Sequence, residues 1–202
     1  MNYTAYLPLA LFALVSSITP GPNNVMLTAS GATFGYRKSM PHMLGITIGC
    51  AVMLLLVGLG LGAVFERVPV LYTLLKYAGA LYLLYLAWRI ANAGRVQGGA
   101  NRPRPLTFVE AAAFQWVNPK AWIMSIGIVA TYTPHDAFLT NLLLACVVVV
   151  IVNFPAISVW TLFGSALARV LTSPAAIMRF NMCMALLLVV SLYPIVQELL
   201  VG

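Results

Sequence analysis

The stretch Ser16-Ser17-Ile18-Thr19-Pro20-Gly21-Pro22-Asn23-Asn24 decides the reading of this chain, because it sets two prolines and a row of polar side chains inside an apolar run. Each proline lacks an N–H and its ring clashes with the carbonyl four residues back, so Pro20 and Pro22 remove the helical bonds to the Ser16 and Ile18 carbonyls. A continuous helix cannot pass. In hydrocarbon, freed carbonyls are tolerated only where protein or a water-filled cavity satisfies them, so the break is expected to line a polar interior. Pro22 suits the first position of a new half-helix, which would turn the amides of Asn23 and Asn24, and the positive end of the helix dipole, into that interior. Such a terminus can take a carboxylate. The alternative for any single proline is a packing kink repaired by a neighbouring Ser or Thr. Pro155 and Pro194 fall under that alternative, whereas the polar density from Thr19 to Asn24 argues for function.

The flanking composition identifies the solvent. Of 202 residues, 62% are hydrophobic and 7% charged, and the mean hydropathy is +0.96. So few polar side chains cannot coat a water-soluble globule of this size. A buried core helix in a soluble protein could account for one apolar run but not for a chain of them. Spans are expected near Tyr6 to Ala29, Met43 to Val64, Val70 to Ile90, Phe108 to Ala130, Phe138 to Leu162 and Ile177 to Leu199. Met1 to Thr4 carries no Lys or Arg and the apolar stretch runs straight into the break, so the first span is expected to be retained rather than cleaved as a signal.

The formal charge of +7 would suggest a nucleic-acid partner in a soluble protein. Here the basic residues sit between spans, and no nucleic-acid role is expected. Arg37 and Lys38 lie in the first connection, Arg89, Arg95, Arg102 and Arg104 around the third, and Arg169 and Arg179 around the fifth. The second and fourth offer Arg67, with Glu66 and Asp136. This bias puts connections one, three and five in the cytoplasm and both termini outside.

The third connection, Asn92 to Pro105, has the composition of a flexible linker, with Gly98-Gly99 and Pro103-Arg104-Pro105. One transporter domain over residues 1–202 is expected, with halves 1–92 and 106–202 and a cytoplasmic linker at 93–105. Three spans per half is an odd number, so the second half enters the membrane from the opposite face. The expected fold is therefore an all-α integral membrane protein of six transmembrane helices in a 3+3 inverted repeat, with helices 1 and 4 broken. Short internal matches agree with it: Ile18-Thr19-Pro20-Gly21 with Val117-Asn118-Pro119-Lys120, and Lys76-Tyr77 with Arg179-Phe180.

In the fourth span Pro119 frees the Gln115 carbonyl, while Asn118 and Lys120 place polar groups near mid-membrane depth. Paired broken helices at matching positions point to a transporter site, with dipole ends for an anionic group and carbonyls for a cation. A zwitterionic amino acid carries both. The candidate substrate-binding residues are Ser16, Ser17, Thr19, Pro20, Gly21, Pro22, Asn23 and Asn24 in the first break, and Gln115, Asn118, Pro119 and Lys120 in the second. For Lys120 the competing reading is a chain snorkelling to an interface, and for Lys76 the two readings are evenly balanced. His42 and Glu110, near the starts of spans two and four, are the residues that could take a proton, against an ordinary interfacial role.

Thr19-Pro20-Gly21-Pro22-Asn23, a Gly-rich second span, Lys76-Tyr77-Ala78-Gly79-Ala80-Leu81-Tyr82-Leu83 and Phe114-Gln115-Trp116-Val117-Asn118-Pro119-Lys120 together resemble the LysE/RhtB family of amino-acid exporters over essentially the full length. The pattern is similar to its cysteine and O-acetylserine exporter branch. The resemblance implies efflux of amino acids or small derivatives, such as homoserine, threonine, leucine, lysine or cysteine, across a bacterial plasma (inner) membrane, driven by the proton gradient. The implied partners are a small amino acid and the lipid bilayer, with no cofactor.

Other functions need residues that are missing from the right places. A transmembrane redox carrier would need paired cysteines in the broken spans, yet Cys50, Cys146 and Cys183 are widely separated, form no Cys-x-x-Cys or metal spacing, and are expected to be small packing residues. An intramembrane hydrolase could use Ser16 or Ser17 with Lys120, but serines beside a proline break usually serve the backbone. A passive pore for small zwitterions stays open as an alternative. Gly45 and Gly49 form a Gly-x-x-x-Gly face, expected to pack within the monomer, with a homodimer seam as the sharper reading.

Overall fold

In the computed structural model residues 6–61, 67–93, 104–134, 136–170, 172–193 and 197 are described. Among them all regular structure is helical, with eight α-helices. Arg95, Arg102, Glu66, Gly98-Gly99, Pro103, Pro194, the expected span ends at Val64 and Leu199, and both termini lie outside the described residues, as does the Lys76 side chain.

The first expected span is two helices. Helix α1 (Tyr6–Ile18) stops before Pro20, and α2 (Pro22–Phe34) starts with Pro22 at its first position and Gly21 as its cap. Gly35 ends α2 in the left-handed region at φ 81°, a stop that side chains with a Cβ resist. Helix α3 (Met40–Leu56) runs on through a π turn at Val57–Leu61, and α4 covers Pro69–Asn92. The fourth expected span is again interrupted: α5 (Phe108–Phe114) passes through a 3-10 turn at Gln115–Val117 into α6 (Pro119–Tyr132). Helix α7 (Phe138–Leu167) contains Pro155 without ending there, and α8 spans Pro174–Val190. Two stretches, Arg37–Leu61 and Phe138–Leu167, are each long and apolar enough to cross a hydrocarbon layer unaided.

Helix α7 is the packing centre, against α1, α2 and α3. Its contact with α2 depends on a reciprocal pair of glycines: a Cβ on Gly31 would strike the Thr161 carbonyl, and one on Gly164 would strike the Thr28 carbonyl. Bare backbone lets the helices approach closely, as membrane helix pairs do. The Gly-x-x-x-Gly face is also used inside the monomer, since a Cβ on Gly49 would lie 2.8 Å from the Ala112 Cα of α5 and one on Gly45 would meet the Phe108 carbonyl. Inward faces bury Leu9, Leu27, Ile46, Phe114, Ile128 and Leu142 completely. Outward faces are apolar too, with Leu81 69% and Ile151 65% exposed, as lipid-facing helices require.

The start of α5 is fixed by a capping box. Glu110 N–H donates to Thr107 Oγ1 (3.2 Å) and Thr107 N–H donates to Glu110 Oε2 (2.7 Å). The Glu110 carboxylate also accepts from Arg89 Nη1 (3.1 Å) and Arg104 Nη1 (2.7 Å), and its proximity raises the Arg104 guanidinium above its ordinary pKa. With these contacts Glu110 joins the ends of α4 and α5 rather than standing free as an interfacial group.

Candidate functional site

A proline break in lipid raises a complete accounting question about backbone carbonyls. In the first break nearly every one has a named donor. The Val15 carbonyl accepts from Thr19 N–H (3.1 Å) and Gly21 O from Val25 N–H (3.0 Å). Ser16 O accepts from Thr19 Oγ1 (3.3 Å), and Ile18 O from the Trp160 indole of α7 (3.0 Å). The Asn24 side-chain amide donates to both Ser17 O (2.9 Å) and Thr19 O (2.7 Å). Protein side chains, not an open water channel, thus satisfy the two carbonyls that the prolines free.

The second break is brought against the first. Lys120, at the start of α6, donates from Nζ to Thr19 O (2.6 Å), Thr19 Oγ1 (2.8 Å) and Pro20 O (3.4 Å). Gly21 leaves room for the chain to pass, since a Cβ there would lie 3.1 Å from Lys120 Cδ. The ammonium is therefore partnered by backbone dipoles rather than snorkelling away. Asn23 and Gln115 form a reciprocal amide pair, Asn23 Nδ2 donating to Gln115 Oε1 (2.9 Å) and Gln115 Nε2 to Asn23 Oδ1 (3.3 Å). The expected freed carbonyl of Gln115 is instead taken by Asn118 N–H at 3.2 Å in the 3-10 turn. The two helix starts differ: Asn118 caps α6 by accepting from Lys120 N–H (3.2 Å), whereas α2 has no side-chain cap among the described residues, which leaves its first amides without a capping acceptor there.

Between the breaks lies a cavity of about 30 Å3, room for water but not for an amino acid. Of the expected site residues, Ser16, Ser17, Gly21, Asn23, Asn24, Asn118 and Lys120 line it. Thr19 and Pro20 form its exposed rim through their bonds to Lys120, Gln115 is fully buried behind Asn23, and Pro22 and Pro119 set the helix starts.

Sequence reasoning missed the walls contributed by α3, α7 and the body of α6. Cys50, Met124, Asn153 and Ile157 also line the cavity. Asn153 donates to Ser17 Oγ (2.9 Å) and accepts from Thr47 Oγ1 (3.0 Å), tying α7 and α3 to the first break. Cys50, expected to be a mere packing residue, points its thiol at Gln115 Oε1 at 3.4 Å. Its neighbour Gly49, which admits Gln115 so closely that a Cβ would lie 3.0 Å from Gln115 Cγ, was the available signal.

A lipid-facing helical bundle in which two interrupted helices meet over polar groups has the make-up of a membrane transport protein. The sequence pattern of the LysE type translocator family matches residues 14–196, and the chain belongs to that family. It is a transporter, not an enzyme. Among its relatives are the cysteine/O-acetylserine efflux proteins of Salmonella typhimurium (strain LT2) and Escherichia coli (strain K12), each 30% identical over 181 residues, which is 88% of this chain and 90% of the relative. No solved structure gives a significant match.

Proposed function

We propose that this chain exports small amino acids or their derivatives, of the neutral, cysteine/O-acetylserine and homoserine/threonine class, from the bacterial cytoplasm across the inner membrane, driven by the proton gradient. The observation that carries the reading is the Lys120 ammonium seated on the Thr19 and Pro20 carbonyls, one break held by the other. That ammonium stands where the ammonium of an amino acid would sit. An incoming substrate offers its own ammonium to the Thr19 and Pro20 carbonyls and releases Lys120. Lys120 then pairs with the substrate carboxylate, beside the open amides at the start of α2. The exchange conserves charge and explains why a closed site holds only water-sized space. The activity for which these relatives are named, efflux of cysteine and O-acetylserine, supports the same substrate class.

The architecture in this reading is six spans in two inverted halves, 1–92 and 106–202, with the 93–105 linker cytoplasmic and both termini periplasmic. The packing of α1 on α7 and of α5 on α3 supports it. These contacts exchange when each element is replaced by its counterpart in the other half.

Overexpression should raise excretion of, and growth protection against, a subset of a single-amino-acid panel, and a protonophore should abolish both. Counterflow in liposomes distinguishes a carrier from a passive pore: unlabelled amino acid inside should drive transient accumulation of labelled amino acid. Simple equilibration would favour the pore.

A further inference from the structure

A second and much larger cavity lies away from the breaks, between α2, the start of α3, the end of α4 and the residues leading into α5. Its volume of about 590 Å3 is within the roughly 300–1,000 Å3 typical of small-molecule sites. Helix α2 is a wall of both cavities: Asn24 faces the small one, and Met26 and Ser30 face the large one. At 1.5 Å of rise per residue, Met26 stands about 3 Å beyond Asn24 along the axis but on another face of the helix, so α2 separates the large cavity from the breaks at nearly the same depth.

Two of its walls carry unmet chemistry. His42 is 1% exposed, neither ring nitrogen has a hydrogen-bond partner among the described residues, and both nitrogens lie beneath the cavity surface rather than on it. A neutral imidazole has one N–H donor and one acceptor nitrogen, and buried polar groups are ordinarily satisfied. A leucine would fill the same space with nothing left unmet, so the imidazole calls for a ligand. Arg89 donates to Glu110 Oε1 (3.1 Å) and to the Arg104 carbonyl (3.3 Å), which leaves N–H groups to spare on the guanidinium. Arg104 takes both oxygens of the same carboxylate (2.7 and 3.0 Å), so two guanidiniums share one anion and the cavity keeps a surplus positive charge.

We propose that this cavity is the cytoplasmic loading site of the exporter, where an amino acid rests before reaching the breaks, its carboxylate on Arg89 and its ammonium on a His42 ring nitrogen that turns out into the cavity to meet it. The assignment rests on the exporter reading and adds to it a second, earlier binding site. An anionic lipid headgroup would meet the same guanidinium, so the test separates the two sources.

The test uses His42→Leu and His42→Gln in the full chain, with L-cysteine and O-acetyl-L-serine as probes. Uptake into inside-out vesicles reads the cytoplasmic face, and right-side-out vesicles read the other. His42→Leu should raise KM at the cytoplasmic face by about tenfold or more, the weight of a hydrogen bond to a charged group, and change it less than twofold outside. His42→Gln, which keeps a donor and an acceptor, should recover part of the loss. The thermal midpoint of His42→Leu should equal or exceed that of the wild type, because no hydrogen bond is removed. An unchanged cytoplasmic KM, an equal rise at both faces or a lowered midpoint would overturn the loading site. So would wild-type uptake that is lost in purely zwitterionic liposomes and restored by anionic lipid, which assigns the cavity to a headgroup. Failure of the wild type to carry any amino acid of the panel would instead overturn the exporter reading itself.

Discussion

Asn24 shows why the break needs particular residues rather than polarity in general. Its side-chain amide serves two carbonyls, Ser17 O and Thr19 O, from a position only 2% exposed. In Asn24→Ala the Ser17 carbonyl loses its donor, and an unsatisfied buried group costs about 1 to 3 kcal/mol. Thr19 O keeps Lys120. Thermal unfolding in detergent should show a loss of that size, and a midpoint equal to the wild type would mean that water replaces the amide. Most residues of the breaks were legible in the sequence, because proline, asparagine and lysine inside apolar runs announce freed carbonyls and a buried charge. The partner of Lys120 was not legible, since a lysine at a span centre does not reveal which backbone dipoles will meet it. Cys50, Asn153 and Ile157 were hidden for another reason: each sits in an unbroken apolar helix, and Met124 in the apolar part of α6, where only three-dimensional register brings them to the cavity.

Among helices, close approach sets the tolerance for added atoms. Gly164→Ala would drive a methyl into the Thr28 carbonyl of α2, and backbone cannot move aside without separating the helices. Overpacking of this kind costs about 1 to 3 kcal/mol. Gly127→Ala makes the control, because its methyl would meet only the tip of the Phe12 ring at 3.3 Å, a side chain that can give way. The thermal midpoint should fall clearly for Gly164→Ala and little for Gly127→Ala; equal effects would contradict the close-packed α2–α7 crossing. The Gly45 and Gly49 face was visible as a spaced pair in one helix. Gly31 and Gly164 carry no such signature, because they answer each other across more than half the chain. Helix α5 was legible only as the start of a span, although Thr107 and Glu110 stand at capping-box spacing before an apolar run.

At the scale of the whole molecule, the basic connections give an orientation that can be measured. Reporter fusions placed in the 93–105 linker should be cytoplasmic and those at Gly202 periplasmic. An external linker would remove the inverted repeat, and with it the correspondence of the two breaks. The helical class and the lipid solvent followed from composition and charge. The meeting of the breaks did not, because no local pattern encodes which helices become neighbours.

The account turns on Lys120 exchanging its backbone carbonyls for the carboxylate of the substrate, and counterflow kinetics of Lys120→Met in liposomes test it most directly. Methionine keeps the apolar stem and removes the charge, so packing survives while recognition of the anionic group is lost. A buried hydrogen bond to a charged group is worth roughly 1.5 to 3 kcal/mol, so the apparent affinity for O-acetyl-L-serine or L-cysteine should weaken by about 10- to 150-fold. Any decarboxylated amine analogue that the wild type carries should be unaffected. Wild-type kinetics in Lys120→Met for the amino acid itself would contradict the account.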